Sequence, residues 1–183
     1  MTVKEIILAA AQELGLAEEV KGYLDGTSSD GQDVTEALLR CFNLVENEVA
    51  LDYLPLVAEE ELETDTGAVF YSELSRAAVR IIKVTDGWGN EAEYKLFPEY
   101  LKTQAGKVKI RYTYTPREKT LEDSSDFLLY ASVRLLAYGI AAEYSLSCGH
   151  FEDAAVWDKK YKDAVAAAYR GKPNKRIQSR RWV

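Results

Sequence analysis

The sequence predicts an α+β fold, mainly α: a helical bundle with an inserted antiparallel β-hairpin or meander, closed by a C-terminal helical hairpin and a basic tail. Three observations predict it. Apolar residues recur at helical spacing over 2–54 and again over 126–170; they alternate with period two in the segment between; and Gly171 to Val183 holds five bases and no acid. With 183 residues, 47% of them apolar and 29% charged, the chain falls outside the disordered and fibrous classes. One domain is therefore expected over 1–183, with the β insertion at 60–116 and a flexible arm at 171–183.

Thr2-Val-Lys-Glu5 reads as a capping box, in which hydroxyl and carboxylate satisfy each other's free backbone donors. Val3, Ile6, Ile7, Ala10 and Leu14 then share one helical face, and Gly15 is placed as a stop. Val20, Tyr23 and Leu24 suggest a short second helix before the loop Asp25 to Gly31. After Asp33 a long helix follows, with Val34, Leu38, Cys41, Val45 and Val49 as its stripe and Ala37, Leu44 and Leu51 widening it, ending before Pro55. The run Glu59-Glu60-Glu61 with Glu63 is expected as an exposed strand or loop, because adjacent side chains diverge.

Strands are predicted at Val79 to Thr85, Ala92 to Phe97 and Lys107 to Thr115. In the last, Val108, Ile110, Tyr112 and Tyr114 alternate with Lys107, Lys109, Arg111 and Thr113. Asp86-Gly-Trp-Gly-Asn90 joins the first two as a turn. It is neither a calcium loop, since the later acidic ligands are missing, nor a phosphate loop, since no helix follows. Asp126 is placed to cap an almost wholly apolar helix running from Phe127 to Leu146, in which Gly139 permits close helix approach. Within it Arg134 and Glu143 fall on opposite faces, which argues for a buried central helix rather than a membrane span. Gly149 ends it, and Phe151 to Arg170 returns antiparallel with Phe151, Ala154, Ala155, Tyr161, Val165, Ala168 and Tyr169 on one face.

Charge is unevenly distributed. Residues 1–63 hold fifteen acids and three bases, a net of −12, while residues 64–183 carry a net of +5. No basic region with an apolar run opens the chain, so a cytosolic site of synthesis is expected, with Cys41 and Cys148 as small apolar fillers. No metal site, cofactor site or catalytic residue is expected: two distant Cys and one His cannot build a tetrahedral metal site unaided, and no nucleotide-binding, zincin or nucleophile-elbow motif occurs. His150 at a helix junction has no Ser or Cys set beside it by any motif. The tail is the better candidate for a docking element, because Lys172, Lys175, Arg176, Arg180, Arg181 and Trp182 combine cations with an aromatic anchor.

The order of elements, with the stretches Arg80 to Asp86, Tyr94 to Pro98, Lys107 to Pro116, Leu136 to Tyr144, Ala155 to Tyr161 and the closing Arg180-Arg-Trp-Val183, resembles the small head-tail adaptor (connector) proteins of tailed bacteriophages and prophages. The resemblance implies a non-enzymatic virion structural protein, made in the bacterial host cytoplasm and residing in the neck of the particle. It further implies a homo-oligomeric ring, twelve-fold in that family, seated on the portal protein and meeting a neck or tail-completion protein. DNA would pass through the channel without specific binding, and no membrane is involved. In this setting the tail residues would dock on the portal or a neighbouring subunit, and Glu59, Glu60, Glu61 and Glu63 would belong to an acidic, DNA-repelling channel face. Two other readings are open at this point. One is a nucleic-acid-binding or regulatory helical module using the basic arm. The other is a ligand-binding domain or enzyme with Arg134 and Glu143 at a polar pocket.

Overall fold

A computed structural model describes residues 1–127 and 131–170. The helices are α1 (Val3–Leu14), α2 (Ala17–Leu24), α3 (Gln32–Glu48), α4 (Val133–Ser147) and α5 (Phe151–Arg170), and the strands are β1 (Leu56–Thr64), β2 (Ala68–Phe70), β3 (Ala78–Asp86), β4 (Lys95–Leu96), β5 (Tyr100–Lys102) and β6 (Gly106–Tyr114). The fold is α+β, with a C-terminal helical hairpin.

The helices share one apolar core built around α4. Leu135, Leu136, Ala137 and Ile140 meet Val3, Ile6, Ile7 and Ala10 of α1, Leu38, Phe42 and Val45 of α3, and Tyr161 and Val165 of α5. The capping box of α1 forms as expected, with the Thr2 hydroxyl accepting from Glu5 N–H and the Glu5 carboxylate accepting from Thr2 N–H; Gly15 closes the helix in the left-handed region at φ 76°. Gly139 is required where α4 crosses its neighbours. A Cβ there would lie 2.6 Å from Val45 Cγ1 and 3.1 Å from the Tyr161 ring. α3 continues into a π-helical turn, Val49–Tyr53, before Pro55 turns the chain out of the helices.

The insertion leaves and returns on paired strands. Leu56 of β1 lies opposite Tyr114 of β6, so the β unit is inserted without parting α3 from α4. β6 lies between β1 and β3, antiparallel to both, and a second antiparallel sheet runs β2-β5-β4. A separate core joins the two sheets: Val69, Leu74 and Leu101 pack with Ile81, Val84, Val108, Ile110 and Tyr112. The strict alternation of β6 is realised, with Val108, Ile110 and Tyr112 buried and Lys107, Lys109 and Arg111 exposed.

Several expectations are corrected. The predicted strand Ala92–Phe97 shortens to Lys95–Leu96, which pairs with β5 rather than β3; only the Thr85–Glu91 bridge continues the Asp86 turn. The Asp86 carboxylate is consumed by that turn, accepting from Trp88 N–H, Asn90 N–H and the Asn90 amide. Asp126 does not cap α4, which starts at Val133 with the Ser132 hydroxyl accepting from Leu135 N–H. Asp126 is drawn off by the Lys119 ammonium at 3.0 Å, and residues 115–127 instead run back beside the N-terminus, with Val3 N–H donating to Asp123 O. Leu44, Leu51, Phe151, Ala155 and Cys148 are exposed rather than on buried stripes. On α5 the buried face runs through Ala154, Tyr161 and Val165, flanked by half-buried Trp157, Ala164 and Ala168, whose 3–4 spacing excludes Phe151 and Ala155; the Tyr169 side chain lies outside the described residues.

Candidate interaction surfaces

The glutamate run occupies β1, and strand alternation divides it. Glu59, Glu61 and Glu63 share the outer face, while Glu60 turns to the side of Ala58 and Leu62, so the four do not form one acidic patch. Register places Glu59 opposite Arg111, Glu61 opposite Lys109 and Glu63 opposite Lys107, and beyond them β3 sets Lys83 opposite Arg111. The outer face of this sheet is therefore striped: acidic along β1, basic along β6, and basic again at Arg80 and Lys83 of β3. Glu59 pairs with the Lys109 ammonium at 3.2 Å, diagonally, with both side chains about half exposed. Such pairs contribute little to stability, so the stripes matter more as a surface field than as a brace.

Glu60 has a structural task. Its carboxylate accepts from Ser75 N–H at 3.0 Å, from the Ser75 hydroxyl at 2.6 Å and from the Tyr112 hydroxyl, tying β1 to the segment before β3. Burial pushes its pKa up, but the hydrogen bonds from Ser75 and Tyr112 outweigh this and hold it below the ordinary glutamate value.

The joint between the two cores holds a polar network that sequence reasoning missed. Glu46 is 1% exposed; its Oε1 accepts from the Ser125 hydroxyl at 2.6 Å and from Asp126 N–H at 3.0 Å, while Oε2 has no partner among the described residues. Burial raises its pKa more than these bonds and the nearby Lys119 charge lower it. Asn43 clasps the Lys119 backbone through both its amide atoms, and Lys119 and Arg76 converge on Asp126. The available signal was spacing: Phe42, Val45, Glu46 and Val49 fall on one helical face, so Glu46 belonged to the buried stripe.

Cys148 and His150 line a shallow groove with Glu13, Tyr144, Asp153 and Trp157. No hydrogen bond links the thiol to the imidazole among the described residues, and the His150 N–H donates to Ser145 O as part of the helix-hairpin turn. Cys41 is buried, and burial pushes its thiol up to about 11, which keeps it protonated and unreactive. Arg134 is exposed over the Tyr138 ring at 5.5 Å, whereas Glu143 is half-buried; the two form no ion pair. The described residues contain no group of three His, Cys, Asp or Glu able to hold a metal, and no described helix is long and apolar enough to cross a membrane. The six docking candidates of the tail, Lys172, Lys175, Arg176, Arg180, Arg181 and Trp182, lie outside the described residues.

Compared with known proteins, the chain matches no family model and no curated sequence.

Proposed function

We propose that this chain is a non-enzymatic head-tail adaptor of a tailed bacteriophage or prophage. Copies assemble as a ring on the portal vertex, extend the DNA channel and present a surface to the next neck or tail-completion protein. The observation that carries the reading is the ordered layout: a helical body closed by the α4–α5 hairpin, with a β unit inserted through paired entry and exit strands and a basic segment after α5. Within the described residues, the stretches that carry the family resemblance fall on β3, β6, α4 and α5, which contribute to the two cores, and around β4.

The charge map supports the same reading in a modified form. Because the β1 glutamates face cations across the sheet, the DNA-repelling surface is better supplied by the helical end. There Glu13, Glu18, Glu19, Asp25, Asp33 and Glu36 are all exposed, and Lys21 is the only base between Glu5 and Glu36. Such a wall disfavours DNA contact and lets the duplex pass.

The tail is the portal-docking element in this account. Deleting residues 172–183 is expected to leave a folded, soluble protein that no longer attaches to portal-bearing heads in a complementation assay. Attachment equal to that of the full chain would overturn the assignment of the tail.

A further inference from the structure

The three-stranded sheet ends in two unlike edges. On the β1 side the outer face carries Glu59, Glu61 and Glu63 together with Val57, which is 45% exposed. On the β3 side it carries Arg80 and Lys83 together with Val79 and Ile82, 52% and 44% exposed. Both edges thus combine apolar surface with charge, and the strand residues that carry it are opposite in sign, acidic on β1 and basic on β3. Lys83 is engaged by Glu91 at 3.1 Å and Glu59 by Lys109, whereas Glu61, Glu63 and Arg80 enter no ion pair among the described residues.

The backbone is open along much of both edges. Among the described residues, β1 pairs only with β6 along its ladder, and β3 is covered only near its end, where Ala92 N–H donates to Val84 O and Glu91 bridges Thr85. That leaves Leu56–Glu63 open on one side and Ala78–Lys83 on the other, the latter interrupted by β-bulges at Val79 and Ile82. Both strands run antiparallel to β6 and hence parallel to each other, so a second copy with its strands in the same direction can bring its β1 alongside β3.

From this we infer that copies of the chain associate head to tail through these edges, the acidic β1 edge of one copy seated against the basic β3 edge of the next. Like charge disfavours β1 against β1 and β3 against β3, so the edge charges that guard against indiscriminate strand pairing also leave one partner arrangement. Joining unlike patches is heterologous association, which yields a closed ring when the rotation between copies closes. The inference rests on the reading of the chain as a ring-forming adaptor and specifies the surfaces that meet.

The test uses the full chain without portal protein, by sedimentation velocity from micromolar to millimolar concentration at low and at high ionic strength. Two double variants are compared: Glu61→Lys with Glu63→Lys, and Arg80→Glu with Lys83→Glu. The wild type is expected to self-associate, more weakly in high salt, and each double variant to bind its own kind about tenfold or more weakly. Mixing the two variants is expected to restore association. One then has two basic edges and the other two acidic edges, so alternating copies fit; this rescue also shows that both variants are folded. A wild type that is monomeric throughout would overturn the inference while leaving portal attachment to decide the adaptor reading. Variants that assemble like the wild type, or a mixture that fails to recover when each variant melts as the wild type does, would overturn it as well.

Discussion

Glu46 sets a carboxylate at the buried joint between the two cores with one oxygen unpartnered among the described residues, and Glu60 sets another at the edge of the β core with its oxygens well supplied. Their contributions to stability run in opposite directions with pH. Glu46, whose pKa is raised in the folded state mainly by burial, binds its proton more tightly there than when unfolded. The stability this brings is present below the ordinary value of 4.5 and is lost as pH rises through the raised value. Glu46→Gln keeps an oxygen to accept from Ser125 and Asp126. Thermal melts across pH should therefore show the variant gaining on the wild type from mildly acidic to neutral pH; parallel curves would count against it. Glu60, held low, gives stability that is present above 4.5 and is lost on acidification. Glu60→Ala strands the buried Tyr112 hydroxyl and is expected to cost about 1–3 kcal/mol at neutral pH in urea unfolding, with Glu60→Gln costing less. The capping pair Thr2 and Glu5 was legible in the sequence because both partners are local. Glu46 was missed because a carboxylate does not announce its burial, and its partners stand 79 and 80 residues away.

At the scale of elements, the tightest constraint is the crossing of α4 over α3 and α5 at Gly139. Alanine in a helix interior gains about 1 kcal/mol over glycine in propensity. The added Cβ, however, would meet Val45 at 2.6 Å and Tyr161 at 3.1 Å, in a core where neither can withdraw freely. The steric cost of about 1–3 kcal/mol therefore wins, and Gly139→Ala should lower the urea midpoint, with Gly139→Leu lowering it much further. A midpoint at or above that of the wild type would show that the helices move apart cheaply. Element types followed from periodicity wherever one face was buried, as in α1, α3 and β6. The misplacements have physical causes. The start of α4 shifted because Lys119 and Arg76, close only in the folded chain, claim Asp126. The strand read at Ala92–Phe97 shortened because the chain after the Asp86 turn leaves β3 to join the other sheet.

For the whole molecule, the uneven charge visible along the sequence becomes two distinct surfaces: an acidic helical end, and a sheet whose edges differ in sign. The sequence carried the charge totals and the alternation of β6. It did not carry the pairing of β1 with β6, which turns an isolated glutamate run into one stripe of a three-stripe face, because register between strands about 50 residues apart is set only in three dimensions. If the acidic helical end lines a channel, removing its charge should make DNA stick. A variant neutralising Glu13, Glu18, Glu19, Asp33 and Glu36 as amides is expected to gain salt-sensitive affinity for duplex DNA once assembled, measured by fluorescence anisotropy, while the wild type shows none.

Assembly on a portal can be followed by light scattering coupled to size exclusion. The full chain is run across concentration, alone and with purified rings of the portal protein from the same genome. A species of ring mass is expected, either alone or joined to the portal. A chain that stays monomeric at every concentration and elutes apart from the portal rings would contradict it.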